Sequence, residues 1–554
     1  MWATAAACDA AGREHRAARA AVRESCSLHF RCRIPRGFSS TRTSALRKMA
    51  LVKPSILAPS LLALMVLAAC GGTGTTSFGP DGSADPDADP NDDGGTGPLA
   101  EKLAGGVTVN EVAIYQAVKI DLMKNGGLVP PVAPIVLGRS ALVRAFLTTD
   151  GSFTPKNLVG KLYLNTGGKL TIVKSLRSIQ GPSNEADQQT TFDFTIDGAL
   201  IGADTTWSVA VLETGPAATQ TGDNPARFPR DGSEQTLGGK SSGSAVKIML
   251  FPIQLSNGLT GDSDASSVAT WTKSVRKLYP VPNVQITVAS TLSYGGALPQ
   301  ANGSGWGGLL NALTQKRQTD KPAADVYYYG VFKPNASFQT FCGNGCVAGL
   351  SNLSTSVGDS FNRASIGLGY GGNFALNTGE TMAHEIGHAH GRNHAPCGGA
   401  QGVDPGFPDS SGGIQTWGYD IDTGILFGPN GEGLDNPVAF KDIMGYCDPK
   451  WISTYNYKAL FTRIAAVNGA DATVYFDAPK SYRQIRVYPD GKTEIGDHFD
   501  VNTYLFGDEK TVTITLADGS TKTVTGNYYE YDHIPGGYVM VPEPPKAIVK
   551  ARLN

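Results

Sequence analysis

The sequence predicts an α+β protein in which a region of alternating strands and helices is flanked by β-rich regions. Three observations predict it. Between 103 and 243, runs such as "SALVRAFLTT", "GKLYLNT" and "TWSVAVLET" alternate apolar and polar residues and are rich in β-branched types. No long helical period appears there, so a β-sandwich-like domain is expected. Between 246 and 475, strand-like and helix-like segments take turns, and from 478 to 554 strand-like runs return as a small C-terminal β module. A chain of 554 residues exceeds one simple core, and its 68 glycines suit turn-rich β packing better than helical bundles.

The elements follow in order. Residues 1–48 are Arg-rich and carry Cys8, Cys26 and Cys32. They are expected to be a disordered leader, or to precede a true start at Met49. In "KPSILAPSLLALMVLAACGG" a lysine precedes an apolar run too short to span a bilayer comfortably, the pattern of a signal-peptide core over 49–69. Small residues before Cys70 resemble a bacterial lipobox, which implies cleavage there and lipid on the Cys70 sulfur. An ordinary secretory signal with an incidental cysteine is the alternative. Residues 70–102 are rich in Gly, Asp, Pro and Ser and are expected to be a flexible acidic linker. The aspartates match no EF-hand spacing.

Within 246–475, "VKIMLFPI", "VQITVAS", "DVYYYGVF" and "ASIGLGY" are expected strands. "DASSVATWTKSVRKLYP" begins with Asp and Ser, spaces its apolar residues helically and stops at Pro280. "GWGGLLNALTQKRQT", "LNTGETMAHEIGHAHG" and "STYNYKALFTRIAAVNG" are further helices. The formal charge of −2 offers no electrostatic case for nucleic acid as a partner.

Of eight histidines, four fall between 384 and 394. On a helix, His384 and His388 share a face, so both imidazoles can reach one cation at about 2.0–2.1 Å. Glu385 is turned by about 100° and lies beside that position, not in it. Gly391 can adopt the left-handed conformation that ends the helix and lets His394 return as a third ligand. Three protein ligands leave a fourth position open, the mark of a catalytic zinc site. His390 points off the ligand face and is expected at the surface or behind a ligand. A chance match to H-E-x-x-H-x-x-G-x-x-H in such a chain is on the order of one in 100,000.

That motif, with Met444, Gly445 and Tyr446 in "KDIMGYCDPKW", resembles the metzincin metalloproteases, most nearly secreted bacterial enzymes of the StcE-like mucinase type. The resemblance covers about 246–475. It implies a mixed sheet with helices, a methionine turn at Met444 beneath one catalytic zinc ion, and Tyr446 either stabilising an oxyanion or packing the turn. Ala395 departs from several metzincin families. Two cysteines, Cys397 and Cys447, follow the third ligand and the methionine turn, whose loops are expected to meet. The expected pairs are therefore Cys397 with Cys447 and Cys342 with Cys346; free thiols or a second metal site are the alternative. Cleft specificity is expected to involve residues 397–420.

The resulting expectation is a zinc-dependent endopeptidase with Glu385 as general base, acting on proteins or glycoproteins. It would be anchored by lipid at the bacterial envelope or secreted. The rival is a surface lipoprotein that binds glycans or host proteins with little proteolysis.

Overall fold

The computed structural model describes residues 101–214, 224–469 and 476–554, all within one compact unit, Asp93–Asn554. The expected leader, signal segment and lipidation site at Cys70 lie outside the described residues. Glu101 and Lys102, read from sequence as the end of the linker, are instead the start of a strand, Glu101–Leu103, because both pair with Thr206–Thr214. Among the described residues no helix is long and apolar enough to cross a membrane.

The N-terminal region is built from two antiparallel sheets. One runs in the order Glu101–Leu103, Thr206–Thr214, Lys156–Thr166, Lys169–Ile179. The other holds Phe192–Ile196, Ala141–Thr149 and the long strand Val107–Lys124. Strand alternation sends Leu158, Leu162 and Trp207 from the first, and Val112, Ile114 and Phe194 from the second, into one buried cluster. The second sheet does not end within 101–243. Beyond Val107–Lys124 it continues through Gly418–Asp420 to Ile425–Phe427 at the edge, with Gly418 opposite Val118.

The middle region carries a five-stranded path in the order Val284–Val288, Val246–Gln254, Val326–Phe332, Ala364–Leu368, Gly349–Ser351. Four strands are parallel, and Gly349–Ser351 runs antiparallel at the edge. Tyr327, Tyr329 and Val331 point to one face, where helices Ala265–Leu278 and Ala375–Ala389 pack. Tyr328 and Phe332 point to the other, against helix Trp306–Asp320. The first of these helices starts where Asp264 accepts a hydrogen bond from Ser267 N at 3.0 Å, an N-cap.

The C-terminal region is one six-stranded antiparallel sheet with its own core of Ile485, Val512, Ile514, Val539 and Val541. It docks on helix Trp306–Asp320 through buried amides. Asn311 and Gln484 exchange hydrogen bonds at 2.9 and 3.0 Å, and Asn502 Nδ2 donates to Gln318 O at 2.9 Å.

Candidate metal centre

Helix Ala375–Ala389 carries His384, Glu385 and His388, all buried. It ends at Gly391, whose φ of +78° is left-handed and where a Cβ would sit 2.4 Å from Ser354 O. Only glycine satisfies both the turn and the close approach. The chain then reverses, and His394 faces the helix. His388 Nε2 lies 2.9 Å from His384 Nε2 and 3.2 Å from His394 Nε2.

The tautomers decide what these short contacts mean. His384 Nδ1 is 2.7 Å from Ile443 O, His388 Nδ1 is 2.6 Å from Arg392 O, and His394 Nδ1 meets Gln401 O. A carbonyl can only accept, so each Nδ1 carries the proton and each Nε2 presents a lone pair. Three lone pairs facing one another repel unless a cation lies between them. The donor set is therefore that of a soft-to-borderline divalent ion such as zinc, with carbonyls orienting each ring. Burial pushes the His384 and His388 pKa values well down and that of His394 to about 4, which keeps the rings neutral, as ligation requires.

Glu385 lies against the edge strand. A Cβ on Gly349 would meet Glu385 Oε1 at 2.1 Å, so this glycine makes room for the carboxylate. Burial raises the Glu385 pKa well above the usual carboxylate range. A divalent cation beside it would oppose that rise.

Met444 sits in a turn closed by Gly445 N donating to Asp442 O at 2.9 Å. Buried Asp442 holds the turn by accepting from Met444 N, Ser453 N and Asn456 Nδ2 at 2.8, 2.8 and 2.7 Å. The Met444 sulfur packs where a Cβ on Gly387 would come within 2.5 Å, directly under the helix that carries the histidines. Met444 O accepts from Ala395 N at 3.0 Å, so the turn supports the third histidine as well as the first. Disulfides join Cys397 to Cys447 and Cys342 to Cys346. The first closes a 50-residue separation, a constraint of about 4 kcal/mol in the loop-entropy account.

Tyr446 is 39% exposed, so it does not act as buried packing for the turn. Its hydroxyl is 3.1 Å from His394 Nε2. Burial, with the Glu385 and Asp532 charges, raises its pKa, which keeps the phenol a donor. His390, expected at the surface or behind a ligand, is fully buried. It stacks on Tyr327 with centroids 4.3 Å apart and places Nδ1 2.7 Å from Ile386 O.

The motif did not reveal Asp532 and His533. They lie in the C-terminal sheet, in the turn between strands Thr521–Glu530 and Gly537–Pro542. His533 Nδ1 is 2.6 Å from Tyr446 Oη, and its Nε2 is 2.8 Å from Glu385 Oε1. Asp532 Oδ2 accepts from Ser351 N at 2.9 Å and lies 3.7 Å from His388 Nε2. Ligand atoms of His384, His388, His394 and His533 all lie within 4.8 Å of one another. One signal was available: only six histidines follow residue 70, and "DHIPGG" places one of them in a turn between strand-like runs.

A cleft of about 410 Å³ opens beside His384, Glu385 and Tyr446, walled by Phe338 and Leu368 and by Glu380 and Lys450. The loop 397–420, expected to shape the cleft, contributes nothing to that wall. Its Gly418–Asp420 strand is drawn off into the N-terminal sheet.

No family model matches the chain, and no curated protein matches it in sequence. Among solved structures, metalloproteinase-II from Bacteroides fragilis is similar at 12% identity and a TM-score of 0.23, over 59% of this chain and 87% of that one. A likeness that distant establishes no shared fold, so the functional reading stands on the geometry of the site itself.

Proposed function

We propose that the chain is a zinc-dependent endopeptidase of the metzincin type, acting on extracellular proteins or glycoproteins. It would be held at a bacterial envelope by lipid on Cys70, or released. The observation that carries this reading is the convergence of three unprotonated Nε2 atoms, from His384, His388 and His394, beside the buried Glu385 carboxylate.

Bound there, zinc would supply Lewis acidity and lower the pKa of a water toward about 7. Glu385 then takes the proton of the attacking water and returns it to the leaving amine. Tyr446 Oη would donate a hydrogen bond to the oxygen that gains charge as the peptide carbonyl becomes tetrahedral. The edge strand Gly349–Ser351 offers backbone groups with which an extended substrate can pair. Phe338 and Leu368 suit an apolar side chain next to the scissile bond. Asp442 and Met444 position the first and third histidines and need not touch substrate.

Elemental analysis tests the reading. The purified chain should carry one zinc, and His388→Ala should lose it while keeping the fold by circular dichroism. Protein that folds and cleaves casein without any metal would sink the proposal.

A further inference from the structure

The C-terminal turn reaches the metal centre from a separate sheet, and it is firmly seated. Asp532 is bonded to Ser351 N, Tyr531 forms a β-bridge with Asn352, and the Tyr538 hydroxyl reaches Asn362 Oδ1 at 3.1 Å. Ile534 packs on the apolar cluster around Trp306 and Leu350. These contacts fix the backbone on both sides of His533.

The ring of His533 repeats the pattern of the three motif histidines. In each of those, Nδ1 is held by an oxygen and Nε2 turns inward. In His533, Nδ1 is held by the Tyr446 hydroxyl at 2.6 Å, while Nε2 is buried and has no hydrogen-bond partner. The 2.8 Å approach to Glu385 Oε1 has the distance of a hydrogen bond but not its direction. A hydroxyl, unlike a carbonyl, can donate or accept; where Tyr446 accepts the Nδ1 proton and donates its own elsewhere, Nε2 has a lone pair and no proton to offer that carboxylate. The ligand atoms of the four histidines lie within 4.8 Å of one another, so a cation among them would take up that lone pair.

We propose that His533 is a fourth protein ligand to the ion held by His384, His388 and His394. The folded chain then presents a closed, four-imidazole centre, and the C-terminal turn must move aside before peptide can enter. This rests on the zinc reading above. A centre with four protein ligands has no place for water, and such centres are structural, not catalytic. His533 also stands between Tyr446 and Glu385, the two groups the hydrolysis would use, so one side chain covers the ion, the base and the oxyanion donor. Asp532 beside it takes up a backbone donor of the edge strand on which substrate would pair.

Zinc-edge X-ray absorption on the intact chain gives the first test. Four imidazole nitrogens are expected, and three imidazoles plus an oxygen would overturn the proposal. His533→Ala should then show three imidazoles, and its metal should be stripped by chelator with an affinity lower by about tenfold or more. With cobalt in place of zinc, its visible spectrum should change from that of a four-nitrogen site to that of a water-containing one. Casein cleavage by the folded variant should rise; a fall would overturn the closed-form assignment. Should His533→Ala not fold, the ligand count on the intact chain decides alone. An intact chain without metal refutes the zinc reading and this inference together, whereas a full zinc complement with three imidazoles refutes this inference only.

Discussion

Two parts of the molecule face the same point in space and are encoded in different ways. The helix Ala375–Ala389 and its return to His394 bring three imidazoles together within eleven residues, and each ring is oriented by a carbonyl from a nearby loop. The turn that carries His533 arrives from another sheet, 87 residues beyond Tyr446, and is oriented by that tyrosine. The first arrangement is set mainly by helical periodicity and one glycine. The second exists only while the C-terminal sheet stays docked, on amide pairs such as Asn311–Gln484. A locally encoded site is hard to disturb without destroying the helix. A site completed by docking can be opened by loosening one interface.

The largest effect separates chemistry from metal binding on the helix side. Glu385→Gln, placed in the His533→Ala background so that access is not limiting, should keep its zinc. It should lose turnover by about 10²–10⁴-fold, the usual worth of a general base. Full activity in that double variant would show that the helix supplies ligands but no base.

The next tests the docked side through pH. Asp359 is fully buried behind the C-terminal sheet, and burial lifts its pKa to about 7. A carboxyl whose folded pKa is raised adds stability below about pH 4, and that stability is lost as pH rises through 7. Asp359→Asn cannot ionise, so the variant should gain on the wild type between pH 5 and pH 8, by at most about 3 kcal/mol. Urea unfolding at both pH values measures it. An unchanged gap would mean that the carboxyl is solvated in solution.

The smallest effect sharpens the comparison directly. Asn311→Ala leaves Gln484 without its buried partner and should lower stability by about 1–3 kcal/mol. Hydrogen exchange should quicken in strands 521–542 and stay unchanged in helix 375–389. Equal quickening in both would show that the two regions unfold as one unit.

These differences also mark what could be read before the fold was seen. The strands and helices of the middle region show in sequence because apolar spacing follows burial: Tyr327 and Tyr329 face one layer, Tyr328 the other. The three motif histidines, Glu385 and the role of Gly391 follow from helical geometry and a left-handed turn. His533 and Asp532 were not legible, since nothing local distinguishes a solvent-facing turn from one buried against a neighbouring sheet. The burial of His390 is not legible either, because the ligand face alone does not show that Tyr327 covers the opposite one. Strand Gly418–Asp420 was missed for a related reason: three residues carry too little alternation to announce a partner roughly 300 positions away.

That short strand changes how the protein can be divided. Between the third histidine and Met444, the chain leaves the centre, adds Gly418–Asp420 and Ile425–Phe427 to the N-terminal sheet, and comes back. The loop is thus moored at its far end to the long strand Val107–Lys124, and just beyond Met444, Trp451 Nε1 ties the chain to the same strand by donating to Ala117 O at 2.8 Å. Removing residues 101–243 would cut both moorings at once. The N-terminal sandwich is better regarded as scaffolding for the histidine-to-methionine span than as a detachable appendage.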